Sequence, residues 1–279
     1  MRSINISLPD QLHHLVQQSR ASFVGIAAHR LTDGSEVLIE ADRPFHPAST
    51  IKLCIMMEIF HQRQLGALSL DEPIAIKNQF SSIFDGSAYS LEVEDDSEKE
   101  LYGCIGQSFS VRELVRRMIT ASSNLATNIL IEYARPGAIS QFMQDLGAGD
   151  LVVLRGVEDQ QAYRAGLNNS ATARGLMNAL LRLANHEVVS PEDSDEMIQI
   201  LSKQQFNEMI PAQLPAATVV AHKTGWTADY FHDAGIVYPP GGEQFVLSIL
   251  TKGYPETEEK AAHAFVASLA KTIYDYWSP

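Results

Sequence analysis

Apolar and polar positions follow two rhythms along this chain. Near the start, Leu8, Leu12, Leu15 and Val16 recur at helical spacing. Pro9 suits an early helical position, so an amphipathic helix is predicted there. Two strand-like runs follow at 23–28 and 36–40, with Asp33-Gly34 between them as a hairpin signal. Residues 49–65 are apolar on almost every side (Ile51, Leu53, Cys54, Ile55, Met56, Met57, Ile59, Phe60), which predicts a helix buried in mid-core, ended by Gly66. Residues 67–108 are poorly periodic, and the stretch 91–101 holds six acidic residues, the pattern of a solvated surface loop. Ser110-Val111-Arg112-Glu113 is a capping-box pattern opening a helix through Ile119. Further helices read at about 125–134, 137–146, 171–186 and 191–202, the last starting at Ser190-Pro191. The polar stretch 150–170 reads as a loop of about twenty residues, a length that is usually functional or disordered. Strands are predicted at 217–222, 234–238 and 244–251, with Pro239-Pro240-Gly241-Gly242 as a turn, and a closing helix at about 256–276.

Strands therefore lie at both ends and helices between them. The fold class expected is α/β (α+β): one antiparallel sheet built from both chain termini, flanked by helices, with an all-helical lobe inserted. The division expected is 1–44 with 204–279 as the α/β lobe and 45–203 as the helical lobe, with the site in the crevice between them. The 279 residues are 45% apolar and 20% charged, ordinary for a globular chain that can bury a sizeable core. Charge narrows the partners. With 21 basic against 34 acidic residues the net is -13, which argues against nucleic acid and against an anionic membrane surface. Two cysteines, Cys54 and Cys104, exclude a disulfide framework and a Cys-rich zinc site. His13-His14 lies on an exposed helix face without ligand company, so no metal and no cofactor is expected. No run approaches the roughly 18 apolar residues of a membrane helix, and the N-terminus lacks an h-region. The chain reads as cytoplasmic as written, periplasmic or secreted if a leader has been removed, and as a monomer.

The buried helix carries two polar intrusions at its start, Ser49 and Lys52, which at i and i+3 share a face. Desolvation and the helix N-terminus both disfavour an ammonium there, so Lys52 can act as a base and Ser49 as a nucleophile. The unpaired Ser49 N–H could also serve an oxyanion. A capping serine and a snorkelling lysine explain the same pair without chemistry. Ser122-Ser123-Asn124 lies between two helices and Lys223-Thr224-Gly225 at a strand end; each is ordinary alone.

In this order the three groups resemble the Ser-x-x-Lys, Ser-Asp-Asn and Lys-Thr-Gly set of class A β-lactamases and penicillin-binding proteins. The likeness covers most of the chain: HPASTIKLCIMMEIF resembles the family's nucleophile helix, and FSVRELVRRMITASSNLATNILI its paired helices, with Asn128 in the matching downstream position. The resemblance implies a serine hydrolase opening β-lactam amides through a Ser49 acyl-enzyme. Lys52 would be the base, Ser122 would relay a proton to the leaving nitrogen, and Asn124 would bind the substrate amide. Lys223 and Thr224 would bind its carboxylate, and Gly225 would allow close approach. The N–H groups of Ser49 and Trp226 would form the oxyanion hole.

The sequence departs from that family in places. Where the family's long loop reads Glu-x-x-Leu-Asn, this chain reads Arg164-Ala165-Gly166-Leu167-Asn168, with arginine in place of the deacylation base. Glu158 could replace it if the loop follows another path; alternatively Arg155, Glu158 and Asp159 pin the loop by ion pairs. Ser123 replaces the Asp of Ser-Asp-Asn. No arginine follows Arg182, which leaves Lys223 and His232 to grip a carboxylate, unless His232 and Asp233 form a strand-edge pair. Tyr102 is a poorly spaced candidate for the family's cleft aromatic. The small-molecule partner that the resemblance implies is a β-lactam or a D-Ala-D-Ala-like compound. Alternatives are a D-Ala-D-Ala peptidase, an esterase or a biosynthetic amidase, and a penicillin-binding sensor that stays acylated.

Overall fold

A computed structural model describes residues 6–278. The chain opens with helix α1 (Leu8–Gln18), then strands β1 (Phe23–Arg30) and β2 (Glu36–Ile39). A 3-10 turn at Ala48–Ile51 runs into α2 (Lys52–Gln64). Short strands β3 (Pro73–Ala75), β4 (Phe80–Ser81), β5 (Ala88–Tyr89) and β6 (Ser108–Ser110) precede α3 (Val111–Thr120). Helices α4 (Asn124–Ala134), α5 (Pro136–Asp145), α6 (Gln160–Arg164), α7 (Ala173–Ala184) and α8 (Pro191–Leu201) follow. Strands β7 (Val219–Thr227), β8 (Tyr230–Tyr238) and β9 (Phe245–Lys252) lead to α9 (Glu259–Trp277).

The main sheet has the order β2-β1-β9-β8-β7 and is antiparallel throughout, so strands from both ends of the chain pair at its centre. Its period-two pattern sorts side chains cleanly. Val24, Ile26 and Ala28 of β1 and Phe245, Leu247 and Ile249 of β9 join one core cluster with Leu8 and Leu12 of α1 and Leu269 and Ile273 of α9. The alternate positions, Ala27, Val246 and Leu250, join the larger cluster with α7 and the helices around α2. The central strands read as nearly unbroken apolar runs because helices cover both faces.

Helix α2 is buried all round, with Leu53, Cys54, Ile55, Met56, Met57, Ile59 and Phe60 all at 1% exposure or less. It ends where expected: Gly66 has φ +69° and the Ala67 N–H donates to Gln62 O, a left-handed cap. Ser110 caps α3 through Glu113 N–H, but Glu113 turns to Arg116 and Arg117 instead of completing the box.

Three expectations fail. Residues 67–108 hold two small sheets, β3 with β6 and β4 with β5, too short to leave a period in the sequence. The acidic stretch 91–101 is not simply solvated: Leu91 and Leu101 are buried, Asp96 is 2% exposed and Glu98 9%. Each buried carboxylate has donors, Arg117 pairing with Glu98 at 2.8 Å. And β7 and β8 run longer than expected, so Lys223-Thr224-Gly225 lies inside an edge strand instead of at its end.

Candidate active site

Ser49 stands on a strained turn. Ala48 before it holds φ +47°, a left-handed conformation that costs of order 1–3 kcal/mol in a non-glycine residue and persists only where its surroundings impose it. Here Thr50 Oγ1 donates to Pro47 O (2.6 Å) and the Ala48 N–H to His46 Nδ1 (3.2 Å). His232 holds the turn from the sheet. Its Nδ1 accepts from Thr251 N–H (3.1 Å), which leaves the proton on Nε2 to donate to His46 O (2.9 Å). Burial pushes the pKa of both imidazoles down to about 4, so both are neutral. His232 is thus fully buried and does not reach the cleft, and it does not pair with Asp233. Successive residues of a strand face opposite sides, and Asp233 pairs instead with His222 Nδ1 at 2.9 Å.

Strand β7 passes close to this turn. A Cβ added at Gly225 would lie 2.6 Å from Ser49 N and 2.8 Å from Thr50 N, so only glycine lets the strand approach. On the same face, Lys223 Nζ donates to Ser122 Oγ (3.1 Å) and to Thr224 O (2.8 Å). Thr224 Oγ1 is buried and has no hydrogen-bond partner among the described residues. The Trp226 ring turns to the other face, against Phe206 and His263.

Lys52 is 1% exposed and uses its three donors on Ser122 O (2.7 Å), Ser122 Oγ (3.2 Å) and Asn124 Oδ1 (2.9 Å). Burial lowers its pKa from 10.5 to about 7, against the pull of Asp96 and Glu158. Burial and the nearby Lys52 together hold Lys223 well below its ordinary value. The Ser122 hydroxyl therefore lies between two amines whose burial disfavours the ammonium form. Among the described residues Ser49 Oγ makes no hydrogen bond. Ser122 itself holds φ +56°, a second strained position.

The loop 150–170 is ordered and follows its own path. It is closed by a bridge between Val152 and Ser170. Asn169 Oδ1 accepts from Leu154 N (2.8 Å) and Arg155 N (3.0 Å). Asn128 clasps Val157 on both sides, accepting from its N–H (2.6 Å) and donating to its carbonyl (3.0 Å). Asp159 accepts from Ser82 Oγ (2.7 Å), Ile83 N (3.0 Å) and Ala162 N (3.0 Å), the last of these capping α6. Among the described residues, hydrogen bonds and not ion pairs pin the loop: Arg155 donates to Gly156 O and Asn168 Oδ1. Between these anchors Glu158 holds φ +62° and turns inward, accepting from Asn124 Nδ2 (3.3 Å) and Glu92 N (3.2 Å). Burial raises its carboxyl above the usual range. Arg164 ends α6 on the surface. A hollow of about 260 Å³ opens beside Glu158, with Tyr89, Glu92, Asp95 and Gln160 among its walls.

The structure thus brings Lys52, Ser122, Asn124, Glu158 and Lys223 into one hydrogen-bonded cluster, with the Ser49 turn packed against Gly225. Cys54 is buried beneath it, its thiol pushed up to about 12 and inert. Asp96 and His46 escaped notice in the sequence. Asp96 lay inside an acidic run, and nothing in the pattern marks one carboxylate of six as the buried one. Tyr102 donates to Asp96 at 3.0 Å.

A sheet joined from both termini, a serine on a strained turn, and two lysines sharing a second serine define a serine hydrolase of the acyl-enzyme type. The chain belongs to the beta-lactamase enzyme family, whose pattern matches residues 7–277. Among curated proteins it is 24% identical to the extended-spectrum beta-lactamase PER-1 of Pseudomonas aeruginosa, over 96% of this chain and 87% of that protein. It is 26% identical to a beta-lactamase of Bacteroides uniformis, over 96% and 90%. The solved structure of PBP-A superposes with a TM-score of 0.81 at 22% identity, covering 96% of this chain and 95% of the other. A beta-lactamase of Chitinophaga pinensis gives 0.83 at 20%, covering 96% and 98%. Among the described residues no helix is long and apolar enough to cross a membrane, and no cluster of His, Cys, Asp and Glu could hold a metal.

Proposed function

We propose that this hydrolase opens β-lactam amides through an acyl-enzyme on Ser49. The observation that carries the reading is the Ser122 hydroxyl held between Lys52 and Lys223, at 3.2 and 3.1 Å, beside the Ser49 turn. With a pKa of about 7, Lys52 is neutral in a large share of molecules at neutral pH and can take the Ser49 proton. Ser49 Oγ attacks the carbonyl carbon. The N–H groups of Ser49 and Trp226 receive the oxyanion, fixed donors aimed at developing charge. The C–N bond breaks as Ser122 gives its proton to the leaving nitrogen and is reprotonated from the lysine side. Asn124 orients the substrate amide. Lys223, with the free Thr224 hydroxyl, takes the carboxylate, and Gly225 allows the approach.

Glu158 is the deacylation base in this reading. Its raised pKa and its bond to Asn124 favour a role in activating water for attack on the ester. Glu92 and Asp95 add negative potential on that side, which favours neutral or cationic acyl groups. The two-lobe division, 1–44 with 204–279 against 45–203, belongs to the same reading: Lys223, Thr224, Gly225 and Trp226 come from the first and Ser49, Lys52, Ser122, Asn124 and Glu158 from the second. Every group comes from one chain, so a monomer suffices.

The test is incubation with a chromogenic cephalosporin, followed by colour and intact mass over time. Turnover with a transient adduct on Ser49 is expected, and none with Ser49→Ala. A lasting Ser49 adduct without turnover supports a penicillin-binding sensor instead. Cleavage of a D-Ala-D-Ala peptide or simple ester, with the cephalosporin untouched, supports the peptidase, esterase or amidase alternatives.

A further inference from the structure

Asp96 is buried at 2% exposure within the acidic stretch, yet among the described residues it makes no ion pair. Its Oδ2 accepts from the backbone N–H groups of Asn124 and Leu125, both at 2.9 Å, and from Tyr102 Oη at 3.0 Å. Its Oδ1 accepts from Glu98 N at 3.0 Å. Those first two amides open α4, so the carboxylate sits on the positive end of that helix. Ser123 caps a different amide, that of Ala126. The next residue adds a second tie: Ser97 Oγ donates to Ala121 O at 2.9 Å and lies 3.4 Å from Ser122 O. Residues 96 and 97 thus clamp the turn 122–124 from outside. That turn holds the left-handed Ser122 and presents all three acceptors that receive Lys52.

We propose that Asp96 is a positioning residue for acylation, holding the 122–124 turn and setting the charge felt by Lys52 from a segment distant in sequence. It supplies the carboxylate that this turn lacks at Ser123, where the motif has aspartate. The inference rests on the reading of Ser49 as nucleophile and Lys52 as its base. Three charged groups face Lys52: Asp96 from the acidic stretch, Glu158 from the 150–170 loop and Lys223 from β7. The positive end of α4 also faces it. Asp96 and Glu158 favour the ammonium, so removing the Asp96 charge makes Lys52 give up its proton at lower pH.

The experiment is Asp96→Asn, nearly isosteric, with the acylation rate constant by a chromogenic cephalosporin followed across pH in the full chain. The acid limb is expected to move down by about half a pH unit or more, the size of shift a nearby charge produces. The plateau rate should fall about tenfold or more, with less than threefold change in initial binding. Adding Ser123→Asp should return the limb toward its original position. A purely structural role would lower stability and amplitude but leave the limb in place, and an unmoved limb in folded Asp96→Asn overturns the proposal. If Asp96→Asn alone does not fold, the double variant is titrated instead: a limb matching the wild type supports the proposal and a displaced one overturns it. Failure of the underlying reading is separately visible, because the wild type would then form no Ser49 adduct at all.

Discussion

Gly225→Ala is the sharpest test of how the sheet meets the Ser49 turn and the nucleophile proposed there. The new Cβ would sit 2.6 Å from Ser49 N and 2.8 Å from Thr50 N, about 0.8 Å short of the 3.4 Å at which ordinary contact begins for the nearer atom. Both are backbone atoms of a turn already strained at Ala48, so no rotamer change relieves the clash. The strand and turn must separate. A shift of about 0.8 Å stretches a bond of about 2.9 Å from either proposed oxyanion donor, the Ser49 or the Trp226 N–H, beyond hydrogen-bonding range. Losing one such donor costs roughly 100- to 1,000-fold in rate, about 2.7–4 kcal/mol at the transition state. Overpacking should also cost about 1–3 kcal/mol of stability. In a chain of this size that lowers Tm by roughly 2–4 °C per kcal/mol. Stopped-flow acylation with a chromogenic cephalosporin reads the first effect and thermal unfolding the second. Gly103→Ala, with nothing within 4 Å and an ordinary φ, is the control. Acylation by Gly225→Ala within threefold of wild type would refute the argument, since the close approach would then carry no catalytic geometry.

Glu158→Gln should leave acylation within a few-fold and slow deacylation by about 100-fold or more, typical of a lost general base; intact mass should show the Ser49 adduct accumulating, and an unchanged deacylation rate rejects Glu158 as the base. Acylation should fall as pH drops through about 7, where Lys52 takes up its proton; a limb near pH 4–5 in a rate–pH profile would contradict a lysine base. The same shift affects stability. Because the unfolded chain keeps the Lys52 proton up to its ordinary 10.5, stability should rise with pH between about 7 and 10.5. Lys52→Met should flatten that slope in urea melts, and an identical slope would count against the buried amine. Asn128→Ala removes the clasp on Val157 and should cost about 1–3 kcal/mol. It should impair deacylation more than acylation, which single-turnover kinetics can separate; equal loss in both steps would disconnect the clasp from Glu158.

Much of this protein was legible in its residues. The all-apolar stretch after Ser49 read as a central helix, and strand-like runs at both ends packed most simply as one shared sheet. Ser49 and Lys52 stood out as polar intrusions in an apolar helix, whereas Ser122, Asn124 and Lys223 stood out only through the order of three motifs that resembles the class A β-lactamase set. The loop was harder. Arg164 beside Leu167-Asn168 suggested a missing base, and only the anchors Asn128, Asn169 and Asp159 decide that Glu158 turns inward. His232 read equally well as a carboxylate partner or as one of a pair with Asp233. The alternation of a strand buried on both faces gives each a different neighbour, His46 for one and His222 for the other.

The sequence by itself determined the longer helices, the one main antiparallel sheet and the reactive residue types, because those depend on local periodicity and on the cost of burying charge, but not the short strands of residues 73–110 or the ends of β7 and β8. The tertiary structure decided which carboxylates lie near Lys52. Asp96 and Glu158 look like any acidic surface residues in a chain of net charge -13. They are set apart only when a distant helix N-terminus and an asparagine amide come within hydrogen-bonding distance, and burial brings their charge to bear on Lys52.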